Sequence, residues 1–243
     1  MDATLCLRLA APLQSWGTRS RFTNRDTERE PTKSGVIGLL CSALGRPRSA
    51  DLSDLSALRF GVRIDAPGRV ERDFHTAQQV PNTAGKKADT VISERFYLAD
   101  AVFVAGLEGD RELLEVLDAA LWAPHWPLAL GRKACVPTPP LSLGVRSGDL
   151  ISALRSVPWQ VQSRRLRTAA AAQAADGQPR DLLAVVDAGE ETSDDTRNDV
   201  PVSFEDRRFT SRTIRRITVP LTAELIGQPP AHAAERDERA PTP

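Results

Sequence analysis

The amino-acid sequence predicts an α+β protein whose principal domain follows the order β-α-β-β-α-β. Three observations support this fold class. The 243 residues are 41% apolar and 26% charged, which is typical of a globular chain long enough to bury a core. Apolar residues alternate along several short segments, as in strands, and recur with the helical period in two others. Turn residues separate these segments.

The first strand is predicted over residues 4–10, where alternating leucines indicate a strand with one buried face. A loop over residues 12–31, rich in Arg, Thr, Ser and Gly, leads into a helix predicted over residues 34–44. Gly45 ends this helix. The second strand is predicted over residues 59–66, before a Pro-Gly turn.

Residues 76–93 are polar and predict a projection from the domain. A continuous third strand over 94–107, a helix over 110–122 and a short fourth strand over 127–130 follow. This order is that of the ferredoxin-like or RRM-like fold, in which two helices cover one face of a four-stranded antiparallel sheet. We expect the other face of the sheet to remain open.

The order of predicted strands and helices changes after the proline-rich segment at residues 137–140, and this change predicts a domain boundary. We predict a principal domain over residues 1–140, a smaller β-rich C-terminal lobe over 141–227 and a disordered tail over 228–243. The lobe should contain a helix at 149–156, an alanine-rich stretch at 169–175, a strand at 182–187 and an arginine-rich alternating segment at 209–221.

Composition narrows the function classes. The longest apolar stretches fall well short of the roughly 20 residues that span a bilayer, and the first residues lack a basic signal-peptide region. Three cysteines that are never in C-x-x-C spacing favour a reducing cytoplasm, and no metal or cofactor motif is present. The 32 basic and 32 acidic residues are unevenly distributed, which predicts a basic face and a separate acidic face.

The start of the first helix carries the sequence Pro31-Thr-Lys-Ser-Gly35. Two interpretations are open: Thr32 or Ser34 caps the helix, or Lys33 contacts a phosphate at the helix N-terminus, where free N–H groups favour anions. The segment lacks the upstream glycine of a nucleotide-binding Walker loop.

The loop after the first strand combines Gln14, Ser15 and Trp16 with Arg19 and Arg21. An aromatic plane, polar donors and guanidinium groups together suit single-stranded RNA, whose bases stack while cations hold the backbone. The alternative is that Trp16 is a buried anchor for the loop.

Two further segments carry candidate chemistry. His75, followed by Thr76, is a candidate general acid or base, an RNA or backbone contact, or a structural residue; cleavage would require a second group for the leaving oxygen. Arg132 and Lys133 follow the flexible Gly131 and form either a phosphate clamp or a solvated turn.

Five motifs in order resemble the subtype I-E branch of the Cas-five family of CRISPR-associated proteins. They are Leu-Gln-Ser-Trp-Gly at 13–17, Pro-Thr-Lys-Ser-Gly-Val-Ile-Gly-Leu-Leu at 31–40, Phe-Gly-Val-Arg at 60–63, Asp-Phe-His-Thr at 73–76 and Leu-Gly-Arg-Lys at 130–133. The resemblance implies a long β-hairpin thumb at about 76–93. Its expected partner contacts are Gln78, Gln79, Asn82, Lys86 and Lys87.

The resemblance also implies a non-catalytic, RNA-binding scaffold subunit of the Cascade surveillance complex, in antiviral defence. Such a subunit binds the 5′ handle of crRNA, caps the backbone formed by CasC and lies next to the large subunit CasA. It meets target DNA indirectly, because guide pairing carries target recognition. No cofactor, metal or obligate homo-oligomer is implied. The RNA-binding residues are then Gln14, Ser15, Trp16, Arg19, Arg21, Lys33, Ser34, His75, Thr76, Arg132 and Lys133.

Two rival hypotheses remain. The subtype I-C branch of the family is an endoribonuclease with a tyrosine, lysine and histidine site. That site has no clear counterpart here, since Tyr97 lies within a strand pattern and His75 has no adjacent lysine. In subtype I-E the separate subunit CasE cleaves, so we expect no catalytic residue. A general RRM-like RNA binder is the other alternative, although the expected aromatic pattern is missing from residues 94–107.

Overall fold

A computed structural model describes residues 3–18, 23–80, 90–189 and 191–228. The elements within these ranges are β1 (Ala3–Ala10), β2 (Leu13–Gln14), β3 (Asn24–Arg25), α1 (Lys33–Leu44), α2 (Ser53–Ser56), β4 (Arg59–Ala66), β5 (Arg69–Ala77), β6 (Val91–Ala99), β7 (Val102–Gly109), α3 (Arg111–Trp122), β8 (Ser142–Ser147), α4 (Leu150–Ser156), α5 (Arg164–Ala175), β9 (Asp181–Asp187), β10 (Asp195–Ser203), β11 (Arg208–Pro220) and α6 (Ala223–Gly227). The protein is therefore α+β and dominated by antiparallel sheets. None of these helices is long and apolar enough to cross a membrane.

The principal sheet has seven strands in the order β10-β11-β9-β4-β7-β1-β8. Strand β1 pairs with β7 on one side and β8 on the other, and all eight of its residues are buried. The predicted position of the first strand is confirmed, but the prediction of one exposed face is wrong. Both of its faces are covered.

Helices pack on both faces of this sheet. Leu5, Leu7 and Leu9 join the cluster formed with residues of α1 and α3, as the alternating leucines predicted. On the opposite face, Cys6 lies in a second cluster with Leu154 and other residues of α4. The expectation of an open second face is therefore wrong, because the apolar side of α4 is buried against it.

Two predicted strands are corrected. Residues 94–107 do not form one strand: β6 and β7 belong to different sheets, and Asp100 between them has a φ of 58°. Aspartate tolerates this left-handed conformation better than most residues. Residues 127–130 form no strand, because Pro127 has no N–H to donate and the Leu130 N–H donates to the Cys135 carbonyl in a local turn. The fourth strand, which was predicted at 127–130, is instead β8, and it pairs with β1 on the side away from β7.

A smaller sheet contains β2, β6 and β3, with β5 also paired to β6. The β5–β6 pairing runs from Arg69 opposite Ala99 to Ala77 opposite Val91, so these two strands form an antiparallel ribbon. The ribbon begins before the predicted projection at 76–93. Of that projection, residues 81–89, with Asn82, Lys86 and Lys87, lie outside the described residues.

The C-terminal strands join the principal sheet. Strand β9 pairs with β4 and β8 pairs with β1, so one sheet continues across the predicted boundary at residue 140. A separate apolar cluster around Trp159, Leu182 and Leu221 lies entirely in the C-terminal part. All of the predicted tail except Gln228 lies outside the described residues.

Acidic and basic segments lie side by side in this part of the sheet. The acidic segment preceding and including β10 is adjacent to the arginine-rich strand β11. Arg215 pairs with Glu191 at 2.6 Å, and Arg216 pairs with Asp195 at 3.5 Å. The prediction of separate basic and acidic faces is therefore wrong for these segments, because antiparallel pairing brings their charges together.

Candidate nucleic-acid interface

Residues 14–16, in the loop that follows β1, are buried. The Gln14 side-chain amide donates to the carbonyls of Leu9 and Ala101, at 3.2 and 2.8 Å. The indole N–H of Trp16 donates to Gln14 Oε1 at 3.1 Å, and Trp16 is only 1% exposed. Ser15 is buried as well. This burial supports the interpretation of Trp16 as an anchor for the loop. A ring that is so little exposed is not available as a stacking surface for a base.

Packing against α1 explains why Trp16 is buried. A Cβ at Gly35 would lie 2.8 Å from Trp16 Cε3, so the indole fits against the first turn of α1 only because residue 35 has no side chain. The glycine in the 31–35 motif therefore serves this contact. Arg19 and Arg21, predicted to contact phosphates from the same loop, lie outside the described residues.

The N-terminus of α1 is capped by the protein itself. Thr32 Oγ1 accepts from the Gly35 N–H at 3.2 Å, and the Ser34 hydroxyl lies 3.4 Å from the same oxygen. The Lys33 N–H donates to Asp199 Oδ2 at 2.8 Å. The anion at this helix terminus is therefore the carboxylate of a residue on β10, in the position where the sequence predicted a phosphate.

The Lys33 side chain belongs to a largely buried group of four charged residues, the α1–β10 charge cluster: Lys33, Asp187, Asp199 and Arg212. Lys33 Nζ lies 3.6 Å from Asp187 Oδ2, while Arg212 contacts Asp187 and Asp199 at 2.6 and 2.7 Å. Burial lowers the pKa of Lys33, an effect that Asp187 opposes. Burial also disfavours the charge of Arg212, but Asp199 and Asp187 raise its pKa overall.

Pairing within the α1–β10 charge cluster limits what Lys33 can contribute to RNA binding. The Lys33 side chain is 6% exposed and paired with Asp187, so its ammonium group is not free for the phosphate contact that the sequence indicated. Its partners lie more than 150 positions later in the chain, and no local pattern predicted them.

The turn at residues 131–133 packs beneath the loop that holds Trp16. Gly131 has a φ of 90°, and a Cβ there would lie 1.7 Å from the Ser15 carbonyl oxygen. Arg132 donates to the Phe96 carbonyl at 3.0 Å and the Arg25 carbonyl at 2.8 Å.

The guanidinium of Arg132 also lies 4.4 Å from the centroid of the Tyr97 ring, an arrangement that favours a cation–π interaction. Arg132 therefore fastens β3 and β6 to the turn, and only Lys133 of the predicted phosphate clamp is exposed. Because the Arg132 guanidinium donates to two backbone carbonyls, the alternative of a solvated turn does not describe Arg132.

The β5–β6 ribbon keeps its predicted contact residues accessible. His75 is half-buried, with Nδ1 3.8 Å from an oxygen of Asp73, while Thr76, Gln78 and Gln79 are exposed. These residues lie on and just beyond the end of β5, so they remain available to a partner.

A large groove that the sequence did not predict lies beside the same turn. It has a volume of about 1250 Å³ and is bounded by α1, the end of α3 and residues 124–141. Trp122 and Trp126 line it, as do Arg46, Arg48 and Lys133. The two tryptophans flank a proline-containing segment, but only the tertiary structure shows that they share one groove.

Comparisons with known proteins confirm the resemblance inferred from the motifs. The family model described as CRISPR-associated protein (Cas_Cas5) matches residues 4–217. The chain is 37% identical over 161 residues to "CRISPR system Cascade subunit CasD" of Escherichia coli (strain K12), an alignment that covers 59% of this chain and 71% of that protein.

Two solved structures are also similar. "Crystal structure of Cas protein" matches with a TM-score of 0.69 and 42% identity, covering 89% of this chain and 95% of that one. "CRISPR RNA-guided surveillance complex" matches with a TM-score of 0.77 and 35% identity, covering 91% and 92%. The chain therefore belongs to the Cas-five family of CRISPR-associated proteins.

Proposed function

We propose that this chain is a non-catalytic, RNA-binding scaffold subunit of a subtype I-E Cascade complex, acting in the cytoplasm. It binds the 5′ handle of crRNA and caps the CasC backbone next to CasA. The observation that carries this proposal is the similarity to a chain of a CRISPR RNA-guided surveillance complex, which extends over 91% of this protein. The relative named as Cascade subunit CasD supports the same assignment.

The sheet order supports a ferredoxin-like core for this scaffold. The strands β8, β1, β7 and β4 are neighbours in that order, α1 follows β1, and α3 follows β7. This is the topology expected of a split β-α-β unit. The antiparallel β5–β6 ribbon supports the proposal that the residues between its strands form a thumb.

The positions of candidate catalytic groups favour a non-catalytic subunit. Tyr97 is buried under the Arg132 guanidinium, and Lys33 is held by Asp187. His75 lies opposite Ser93, four positions along β6 from Tyr97, which corresponds to roughly 13 Å along the strand. A tyrosine, lysine and histidine acting together on one phosphodiester need closer approach than this.

The test is to incubate the purified chain with labelled guide-repeat RNA, with and without CasC, and to measure retention and cleavage. We expect intact RNA that is retained more strongly when CasC is present. Discrete metal-independent cleavage that His75→Ala abolishes and Gln78→Ala leaves unchanged would instead identify the chain as a processing nuclease. Failure to retain RNA even with CasC would refute the proposed function.

A further inference from the structure

We propose that the groove between α1, the end of α3 and residues 124–141 binds a single-stranded segment of the guide RNA. Bases stack on Trp122 and Trp126, and phosphates pair with Arg48 and Lys133. This inference rests on the proposed function and assigns to it a surface that includes the sequence-indicated Ser34 and Lys133, together with Arg48 and two tryptophans that the sequence did not indicate.

The groove has the size of a polymer site. Its volume of about 1250 Å³ exceeds the roughly 300–1,000 Å³ of ordinary small-molecule pockets. Its lining includes Gly38 and Ser42 of α1 and the proline-rich segment before β8. A segment of a few nucleotides fills such a volume better than a single small ligand.

The charge of the groove favours a polyanion. Every charged residue among its described lining residues is basic: Arg46, Arg48 and Lys133. Arg46 is neutralised by Asp54 through two short hydrogen bonds, at 2.8 and 2.5 Å. Arg48 and Lys133 are exposed and form no ion pair with any residue in the described part of the chain. Two unneutralised cations that line one groove attract a phosphate backbone.

A second, smaller pocket provides a contrast. It has a volume of about 180 Å³ and is lined by Glu28, Glu30 and Asp195 together with Arg197 and Arg212. Its arginines are already paired with carboxylates. A phosphate would meet uncompensated repulsion there, so the large groove is the better anion site.

Two of the four tryptophans are exposed, and both line the groove. Trp16 and Trp159 are 1% and 2% exposed, whereas Trp122 and Trp126 are 36% and 41% exposed. The Trp126 backbone N–H donates to the Ser42 carbonyl at 3.1 Å, which holds its loop against α1.

The Trp126 ring makes an edge contact with the ring of His125, at 5.1 Å between centroids. Trp126 thus has its backbone tied to α1 and its ring against His125, and it lines the groove while remaining partly exposed. Aromatic planes beside free cations are the combination with which proteins hold single-stranded nucleic acid.

A proline-rich peptide of a partner subunit is the competing occupant, because aromatic-lined grooves also bind such peptides. A peptide does not account for a groove whose charged lining is wholly basic. RNA accounts for both the cations and the exposed indoles, so it is the occupant that the observations favour.

The first experiment measures tryptophan fluorescence while the chain, with CasC, is titrated with a short single-stranded RNA of the guide-repeat handle. Because the other two tryptophans are buried, RNA should protect Trp122 and Trp126 from acrylamide. Trp126→Ala and Trp122→Ala should each weaken binding roughly tenfold, the effect of losing one stacked base. Trp126→Phe, which retains a ring, should keep most of the affinity.

Salt dependence tests the cations. Arg48→Gln and Lys133→Gln should each reduce the slope of log affinity against log salt by about 0.7, the value for one phosphate contact on a single strand. The matched control is Arg164→Gln, which removes an exposed cation on α5 that does not line the groove. Its slope should equal that of the unaltered chain.

The outcomes separate the two proposals. If the unaltered assembly retains RNA but the groove variants keep its affinity, salt slope and acrylamide protection, the groove assignment is wrong and the proposed function stands. Variants that retain RNA but lose CasC or CasA would show that a partner protein occupies the groove. Photo-crosslinking of 4-thiouridine RNA to the unaltered chain gives an independent check: adducts confined to residues outside the groove would overturn the assignment.

Discussion

Replacing Asp199 by alanine tests whether the N-terminus of α1 is occupied by the protein rather than by phosphate. Asp199 is 2% exposed and accepts hydrogen bonds from the Lys33 N–H at 2.8 Å and from two nitrogens of Arg212 at 2.7 and 3.0 Å. Its removal leaves a helix N–H unsatisfied and a buried guanidinium with only Asp187 as carboxylate partner.

We expect the free energy of unfolding to fall by about 3 kcal/mol. Breaking one side of a buried ion pair costs roughly 3–5 kcal/mol, and the lower end applies because Arg212 keeps Asp187. The assay is urea unfolding followed by far-ultraviolet circular dichroism, with an unchanged m-value. Asp199→Asn retains an acceptor for the helix N–H but removes the charge, so its loss should be intermediate.

Asp206→Ala is the matched control, because Asp206 forms an exposed pair with Arg208 at 3.5 Å. Its loss should stay below about 1 kcal/mol. Equal losses for Asp199→Ala and Asp206→Ala would refute the role of the α1–β10 charge cluster. Because Lys33 is paired within the protein, Lys33→Ala should leave the salt dependence of RNA binding unchanged. A reduced slope of log affinity against log salt would also refute the reasoning.

Two further predictions concern backbone packing and thiol chemistry. Gly131→Ala should destabilise the chain by about 3 kcal/mol, combining left-handed strain with overlap on the Ser15 carbonyl; Gly177→Ala, with a φ of 73° and nothing within 4 Å of the added carbon, should lose only about 1 kcal/mol. Equal losses in urea unfolding would contradict the proposed overlap. Burial raises the pKa of Cys6 and Cys41 to about 11, so at pH 8 only about 0.1% of each is thiolate, against about a quarter for an exposed thiol. A thiol-specific disulfide reagent should therefore label the folded chain slowly and label all three cysteines in denaturant, and rapid labelling of the folded chain would exclude the buried positions.

Local periodicity and capping residues were sufficient to predict two helices. The helix predicted over 34–44 is α1, with Gly45 in the left-handed conformation that ends it. The helix predicted over 110–122 is α3, capped by Asp110. These predictions succeed because an amphipathic helix and its caps depend on residues within a few positions of one another.

The family and its RNA-associated class were also accessible from sequence. Long motifs such as residues 31–40 reflect packing and turns that the fold requires, as Gly35 against Trp16 shows. They identify the family even though Trp16 and Lys33, which the sequence indicated as RNA contacts, are buried. Motif residues identify the fold because they build it, and this is also why many of them are buried.

Only the tertiary structure decided which charged and aromatic residues face solvent. Lys33 can be buried because Asp187 on β9 and Asp199 on β10, far along the chain, provide carboxylates for its ammonium group and its backbone N–H. Trp122 and Trp126 are exposed because α3 and the following loop form the rim of a groove. Exposure and pairing depend on contacts between distant segments, so sequence alone determined the family and most elements, and the folded chain determined which charged and aromatic residues remain accessible.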